Sequence, residues 1–241
     1  MSTLYEILGR IFRFIYDTLV GLGPEPSSVS YYAMALLVMA VIYKLLTIPL
    51  TIQQAKATKK TAELQPKIEE LKKKYGYNQE ILNQKIQEFQ KENNATQAGC
   101  SSCLMIIVQF VIVIALFGVI REPAKYLFDN PEQINTIARN FFWIPDLSLA
   151  DPTGWLLALL NSGTQMLVSF LSQQNTPGVS EQAQSSQKMM LYILPVVFFF
   201  MFRTMPAGLV LYWTAGNVIE IVVKLITKGI TSRQLKTNEV Q

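Results

Sequence analysis

Five apolar segments, separated by polar stretches, constrain the fold of this chain more than any other feature of its sequence. With their flanking residues they cover 31–52, 101–121, 154–172, 188–203 and 207–228. The first and last have the roughly 20 residues with which a helix crosses an apolar core of about 30 Å, and the fourth is clearly shorter. Because spanning segments must satisfy their own backbone hydrogen bonds, the pattern predicts an all-α, polytopic membrane protein with five transmembrane helices.

The distribution of charge predicts how these helices are oriented. Segment 53–98 carries nine lysines, whereas 122–153 carries Lys125 and Arg139 against five acidic residues. Positive charge stays on the cytoplasmic side, so 53–98 is predicted to be cytoplasmic and 122–153 an extracytoplasmic loop. The N-terminus is then outside. The loop 173–187 and the tail 229–241 are cytoplasmic.

Segment 53–98 has the pattern of two short helices joined by a turn. Apolar residues recur at heptad spacing before Gly76, and Leu82, Ile86 and Phe89 continue the spacing after it. Asn78 is a suitable N-cap for the second helix. Two helices with so short a connection are predicted to form an antiparallel cytoplasmic hairpin. It serves either as a docking surface for a partner or as a solvated spacer.

Residues 1–23 have the pattern of an amphipathic helix rather than of a signal peptide. Glu6, Arg10, Arg13 and Asp17 share one helical stripe, and apolar residues cover the other side. Such a helix is predicted to lie in the membrane interface, here on the extracytoplasmic side.

Polar residues follow one face of most of the predicted spans. These stripes comprise Lys44, Thr47 and Thr51; Gln109; Asn161, Gln165 and Ser172; and Trp213, Asn217, Glu220 and Lys224. Polar groups at membrane depth need polar partners or water, so the stripes predict a shared cavity that opens toward the cytoplasm.

Simpler interpretations of the same residues remain open. The Lys44 amine could reach toward the membrane surface along its flexible side chain, and Asn161 and Gln109 could act only in helix packing. Glu220 and Lys224 could form a local ion pair. Trp213 could be an interface anchor.

The sequence favours no enzyme or metal site. It has no histidine, and its two cysteines, Cys100 and Cys103, cannot complete a zinc site by themselves. A P-loop is also absent from the sequence, so no nucleotide, metal or other cofactor is expected.

Three stretches of the sequence together resemble one known family. They are Pro49-Leu50 followed by basic residues and Gln65-Pro66-Lys67, the stretch Trp143–Pro152, and the block Pro206–Trp213 with Asn217 after it. They resemble the first core span, an external stretch and the last two spans of the YidC/Oxa/Alb family of membrane protein insertases.

The resemblance covers roughly Tyr31–Lys228 and has two departures. Lys44 stands where the family usually has arginine, and Gly99–Cys103 lacks the family's proline. Because lysine can lose its proton when buried, insertion by charge pairing is expected to be weaker or more pH-dependent. With no large domain ahead of the first span, the minimal five-span bacterial form is expected.

The resemblance implies a function in the bacterial plasma membrane. The protein would insert nascent membrane proteins, and help them fold, through a hydrophilic groove open to the cytoplasm and to lipid. Lipids, the Sec translocase and the ribosome or signal recognition machinery would be its partners, and DNA would not. The implied groove residues are Lys44, Thr47, Gln109, Asn161, Gln165, Trp213 and Asn217.

Two other functions are weighed against insertion. A small ion-coupled transporter could use Lys44 and Glu220 as a proton relay, but the chain lacks the inverted repeats of such proteins. An intramembrane protease could use Ser162 or Ser169 with a lysine, but no nucleophile pattern supports either serine.

Overall fold

The structure, a computed structural model, describes residues 2–93, 111–127, 131–173 and 181–238. Its helices are α1 (Ser2–Val20), α2 (Tyr31–Tyr75), α3 (Gln79–Glu92), α4 (Val111–Arg121), α5 (Pro123–Tyr126), α6 (Leu156–Gln173), α7 (Glu181–Phe202) and α8 (Ala207–Asn238). A 3₁₀ helix covers Pro131–Thr136. Within these residues, extended pairing is confined to isolated bridges. The all-α prediction is therefore confirmed for the described part of the chain.

The apolar helices differ in length. Among the described residues, Tyr31–Gln53 and Ala207–Thr227 are long and apolar enough to cross a membrane. The apolar parts of α4, α6 and α7 are shorter. The first half of the predicted second span, with Cys103 and Gln109, lies outside the described residues, as does Cys100 just before it.

α2 joins the first predicted span to the segment 53–98 without a break. Ser30 caps its start by accepting a hydrogen bond from the Ala33 amide, and the helix continues through Pro49 and Pro66 for 45 residues. At 1.5 Å per residue it is about 67 Å long. The span and the lysine-rich part of this segment therefore share one helix.

α3 begins where the sequence placed its cap. The Asn78 side chain accepts hydrogen bonds from the amides of Glu80 and Ile81, at 3.0 and 3.2 Å. α3 contacts α2, and Ile68 of α2 and Leu82 of α3 are both buried.

Two helices extend beyond the apolar segments that define the predicted spans. α7 begins at Glu181, within the predicted loop 173–187, and α8 continues to Asn238, within the predicted tail 229–241. Hydropathy marks the edge of a membrane segment. A helix, in contrast, continues as long as its residues favour helical backbone, as the Glu, Gln and Ala residues at the start of α7 do.

α8 lies at the centre of the packing. It contacts α2 on one side and α6 on the other, and α6 also contacts α7. The buried core includes Leu36, Leu116, Ile120, Leu209 and Val210. These side chains come from α2, α4 and α8, so the three helices share one core.

α1 has three faces rather than two. Phe12 and Ile15 are buried, and the Phe12 ring contacts that of Tyr32 with a centroid distance of 5.0 Å. The apolar stripe Ile7, Ile11 and Phe14 is exposed. The helix thus packs on α2 with one face and leaves a second apolar face exposed.

Residues 139–151, here called the capping segment, connect the starts of three helices. The Asn140 carbonyl accepts a hydrogen bond from the Ser30 amide at the start of α2. The Leu149 and Leu147 carbonyls accept hydrogen bonds from the amides of Ala207 and Gly208, at 2.7 and 2.8 Å. These two amides belong to the first turn of α8, where no partner exists within the helix. The capping segment thereby fixes this end of α8.

An aspartate within the capping segment organises the start of α6. The buried Asp151 carboxylate accepts hydrogen bonds from the Leu157 amide at 2.8 Å, the Thr153 amide at 3.0 Å and the Thr153 hydroxyl at 2.9 Å. It also accepts one from the Trp143 indole at 3.1 Å. Burial raises the pKa of Asp151, but these hydrogen bonds outweigh it and hold the pKa below its ordinary value.

Candidate functional site

A polar cavity of about 200 Å³ lies between α2, α6 and α8. It is lined by Ala40, Tyr43, Lys44, Gln165, Val168, Tyr212, Trp213, Gly216, Asn217 and Glu220. A cation, an anion and two amides thus meet within helices that are otherwise mainly apolar. We call this cavity the polar groove.

An ion-paired cluster lies at one end of the polar groove. The Lys44 Nζ is 2.7 Å from Glu220 Oε2, and the Lys224 Nζ is 3.5 Å from Glu220 Oε1. The three side chains are between 21% and 25% exposed. Within the described residues, two amines therefore share one carboxylate, in a partly buried place where charge interactions are stronger than in water.

A glycine makes room for the lysine side chain. A Cβ atom added at Gly216 would lie 3.2 Å from the Lys44 Cε. Gly216 precedes Glu220 by one helical turn. The Lys44 side chain therefore lies against bare backbone of α8 on its way to the carboxylate.

A second polar network joins α6 to α8. The Trp213 indole donates to Gln165 Oε1 at 3.4 Å. The Asn217 amide donates to Asn161 Oδ1 at 3.4 Å and to the Thr164 hydroxyl at 3.3 Å. On its other side the Trp213 ring contacts aromatic rings of α7. These contacts fix the side chains along one wall of the groove.

The structure brings together most of the predicted groove residues that it describes. Lys44, Gln165, Trp213 and Asn217 line the groove. Asn161 is fully buried behind Asn217 and does not line it.

Of the other two predicted groove residues, the structure describes only Thr47. The Thr47 hydroxyl donates to the carbonyls of Tyr43 and Lys44 in its own helix, at 3.0 and 3.1 Å, and Thr47 is not part of the groove wall. Such bonds are common for threonine within helices. Gln109 lies outside the described residues.

Six residues of the groove wall are not among the predicted groove residues: Ala40, Tyr43, Val168, Tyr212, Gly216 and Glu220. Tyr43, Tyr212 and Gly216 carried no polar pattern that singled them out, although the two tyrosine rings lie 6.4 Å apart at the groove. Glu220 was placed on the polar stripe of its span and weighed as a partner of Lys224 or of Lys44, but it was not named among the groove residues. Its 2.7 Å contact with Lys44 depends on how α2 and α8 are aligned. The signal available in the sequence was a carboxylate in an apolar run.

The opposite face of α8 is apolar. A groove of about 460 Å³ lies there, flanked by α2 and α6 and by Phe141, Phe142 and Trp143 of the capping segment. Its lining includes Leu37, Leu211 and Val218. The two faces of α8 thus differ sharply in polarity, and Glu220 and Lys224 belong to the polar one.

Comparison with known proteins identifies the family. The family model described as 60Kd inner membrane protein matches residues 26–234. A Fusobacterium nucleatum protein named membrane protein insertase YidC is 32% identical, over 92% of this chain and 95% of its own length. The chain belongs to the YidC family of membrane protein insertases.

Other YidC relatives show how the chain aligns. A Clostridium tetani protein of the same name is 30% identical, over 97% of both chains. A Treponema denticola protein is 33% identical over 91% of this chain, which spans only 37% of that relative. The chain thus matches some YidC proteins over nearly their whole length and others over about a third of it. The family resemblance noted in the sequence is confirmed.

A solved structure agrees with the YidC fold. The protein described as "Active YidC insertase crystal structure with the first transmembrane domain resolved" has a TM-score of 0.59 to this chain. Its sequence is 24% identical, and the match covers 92% of this chain and 45% of that one. The likeness supports a helical membrane fold of the YidC type.

Proposed function

We propose that this protein inserts nascent membrane proteins into the bacterial inner membrane, and that their hydrophilic segments enter the polar groove on the way. The observation that carries the proposal is the groove itself, since Lys44, Gln165, Trp213 and Asn217 gather in one cavity of an otherwise apolar bundle. Because the chain belongs to the YidC family, insertion of membrane proteins is the most direct use of this cavity.

The proposed topology has five spans, with the N-terminus outside and the C-terminus in the cytoplasm. The excess of lysine in 53–98 over 122–153 supports it. α1 would rest in the outer interface, with Ile7, Ile11 and Phe14 in contact with lipid. α3 and the end of α2 would form a cytoplasmic hairpin.

The groove would lower the barrier that a polar segment meets in lipid. A charged group placed at the bilayer centre costs about 2.5–3.5 kcal/mol on insertion scales. In the groove such a segment would find polar partners and the Lys44 amine, whose attraction for carboxylates is strengthened by low dielectric. The apolar part of α7, Leu191–Phe202, is only about 18 Å long, which supports local thinning of the bilayer.

Burial of the client's apolar helix in lipid would drive the reaction. At about 25 cal/mol per Å² of apolar surface, one such helix supplies far more free energy than the groove has to provide. Covalent chemistry and cofactors are unnecessary for this mechanism. The protein is accordingly proposed not to be an enzyme.

The predicted site residues take different roles in this proposal. Lys44, Gln165, Trp213 and Asn217 would contact the client, and Asn161 would hold the Asn217 amide in place. Thr47 and Gln109 are proposed to lie beside the client's path at similar depth. The lysine-rich segment 53–98 would dock the ribosome, the signal recognition machinery or the Sec translocase.

Reconstitution tests the proposal. The purified protein would be placed in liposomes and offered a client with one apolar helix and a short outer segment carrying two acidic residues. Protection of the outer segment from added protease measures insertion. We expect protection well above that of protein-free liposomes, and equal protection in both would refute the proposal.

Ion-coupled transport is the competing function. A proton relay would need a contact such as that between Lys44 and Glu220. Membership of an insertase family, however, does not favour ion-coupled transport.

A further inference from the structure

The Lys44 amine is already engaged by an acidic group of its own chain. We propose that Glu220 competes with the client for the Lys44 amine. A carboxylate of the client displaces Glu220 from Lys44, and Glu220 then pairs with Lys224. This inference rests on the proposed insertion function and adds a determinant of client choice. It makes Glu220 and Lys224 specificity-determining residues of the polar groove.

The geometry of the cluster supports an exchange of partners. Glu220 uses one oxygen for Lys44, at 2.7 Å, and turns the other toward Lys224, at 3.5 Å. The closer contact joins two helices, whereas the longer one joins neighbouring turns of α8. A small rotation of the carboxylate therefore tightens its bond to Lys224 and loosens its bond to Lys44.

The charge count leaves room for one more anion. Among the described side chains of the cluster there are two amines and one carboxylate, so the cluster carries a net charge of +1 when all are ionised. A client carboxylate at Lys44 would give two pairs of opposite charge. Breaking a partly buried pair is costly when one partner is left alone, and here neither is left alone.

Gly216 keeps the Lys44 amine at the place of exchange. Because the Lys44 Cε lies only 3.2 Å from where a Cβ would stand, a side chain at this position would push the lysine away from α8. The amine is thus held at the groove wall, next to Asn217 and within reach of an entering segment.

The competitor would discriminate between clients by charge. A neutral polar segment cannot replace the Glu220 carboxylate and leaves the Lys44–Glu220 contact in place. A client carboxylate can take the place of Glu220 at the Lys44 amine. A basic segment is repelled by the net charge of the cluster. We therefore expect acidic outer segments to be favoured over neutral ones, and neutral over basic ones.

Two opposite substitutions test the inference in the reconstituted insertion assay. The client would be used with two aspartates in its outer segment and with asparagines in their place, and the ratio of the two initial rates would be measured. Glu220→Gln removes the competitor and should raise the acidic-to-neutral ratio about threefold. Lys224→Gln leaves Glu220 with Lys44 alone and should lower the ratio about threefold.

A matched control separates this effect from the loss of any ion pair. Asp17→Asn removes the Arg13–Asp17 contact, which has the same 2.7 Å distance but is exposed on α1. This substitution should leave the ratio unchanged. If Glu220→Gln prevents folding, Glu220→Asp shortens the side chain by one methylene and should still raise the ratio.

The outcomes distinguish the two proposals. If the wild-type protein inserts neither client, insertion itself is refuted. If it inserts both, but the Glu220 and Lys224 substitutions change both rates in parallel, the ion pairs serve only structure and this inference is wrong. A ratio that moves in the same direction for both substitutions would overturn it as well.

Discussion

At Lys44, substitution can separate the charge from the side chain that carries it. Lys44→Arg keeps the positive charge beside Glu220 and should retain insertion of acidic and neutral clients. Lys44→Ala removes the attraction, and the rate for an acidic client should fall about tenfold, or about 1.4 kcal/mol in the barrier. A neutral client, driven by its apolar helix, should lose less.

The insertion assay with protease protection measures both variants. Thermal unfolding in detergent would confirm that each variant is folded. Equal losses for acidic and neutral clients would contradict charge steering and would mean that the lysine only keeps the groove polar. Loss of insertion in the Lys44→Arg variant would show that a positive charge at this position is not sufficient.

Asp151 should contribute to stability in a pH-dependent way. Asp151→Asn cannot accept all four hydrogen bonds and should cost about 2 kcal/mol of unfolding free energy. Because the pKa of Asp151 is lowered in the folded protein, its stabilisation is full above the ordinary pKa of about 3.9 and is lost as the pH falls below it.

Thermal unfolding at several pH values checks this. At pH 7 the asparagine variant should unfold about 5 °C below the wild type, and the difference should shrink below about pH 4. Glu122→Gln is the control, since that carboxylate is exposed beside Lys125 and should change little. A difference that stays constant down to pH 3 would contradict the role of the carboxylate charge.

Single residues show where sequence reasoning succeeds and where it stops. Helical spacing placed Lys44, Gln165, Trp213 and Asn217 on facing stripes, and all four line the groove. The same spacing could not reveal that Lys44 reaches Glu220. Spacing fixes which face a residue occupies on its own helix, but the contact depends on the axial offset between two helices, which packing determines.

At the scale of elements, the continuity of α2 links the first span to the lysine-rich segment. Two alanines inserted after Ala57 would turn everything beyond them by about 200°, and four alanines by about 40°. If the orientation of the hairpin toward the groove matters, the two-residue insertion should lower client insertion severalfold and the four-residue insertion should lower it less.

The four-residue variant is the matched control for this test. It displaces the hairpin by about 6 Å along the helix axis, against about 3 Å for the two-residue variant. A larger defect with four residues would mean that distance, not direction, is important. Equal activity of both variants with the wild type would contradict rigid coupling through α2.

Helix boundaries were predictable where a local signal exists. Asn78 caps α3 as its sequence indicated, because the cap is made by neighbouring residues. The start of α7 at Glu181 and the extension of α8 to Asn238 were not predicted. Hydropathy identifies the membrane segment, and a helix that continues into water carries no apolar signal. The bonds of the capping segment were also beyond sequence reasoning, since they join distant parts of the chain.

At the scale of the whole molecule, the proposed topology can be tested with two exposed positions. In a Cys100→Ser, Cys103→Ser background, Leu149→Cys should react with a membrane-impermeant maleimide added outside intact cells. Tyr77→Cys should react only after the membrane is opened. Leu149 and Tyr77 are 64% and 82% exposed, so neither thiol should be hidden by the protein.

The pattern of labelling decides between orientations. Reaction of the thiol at position 77 in intact cells would place the α2–α3 turn outside and invert the proposed topology. Reaction at both positions only after the membrane is opened would contradict an external capping segment.

The anchoring of one end of α8 has a mechanical consequence. The capping segment holds the Ala207 and Gly208 amides, while Glu220 lies about 20 Å further along the helix. α8 can therefore act as a lever with its pivot at the capping segment. A tilt of about 10° would leave the pivot almost still and move Glu220 by about 3.5 Å, more than enough to separate it from Lys44. In the proposed topology, the groove would then widen on its cytoplasmic side while the end of α8 at the capping segment stays in place.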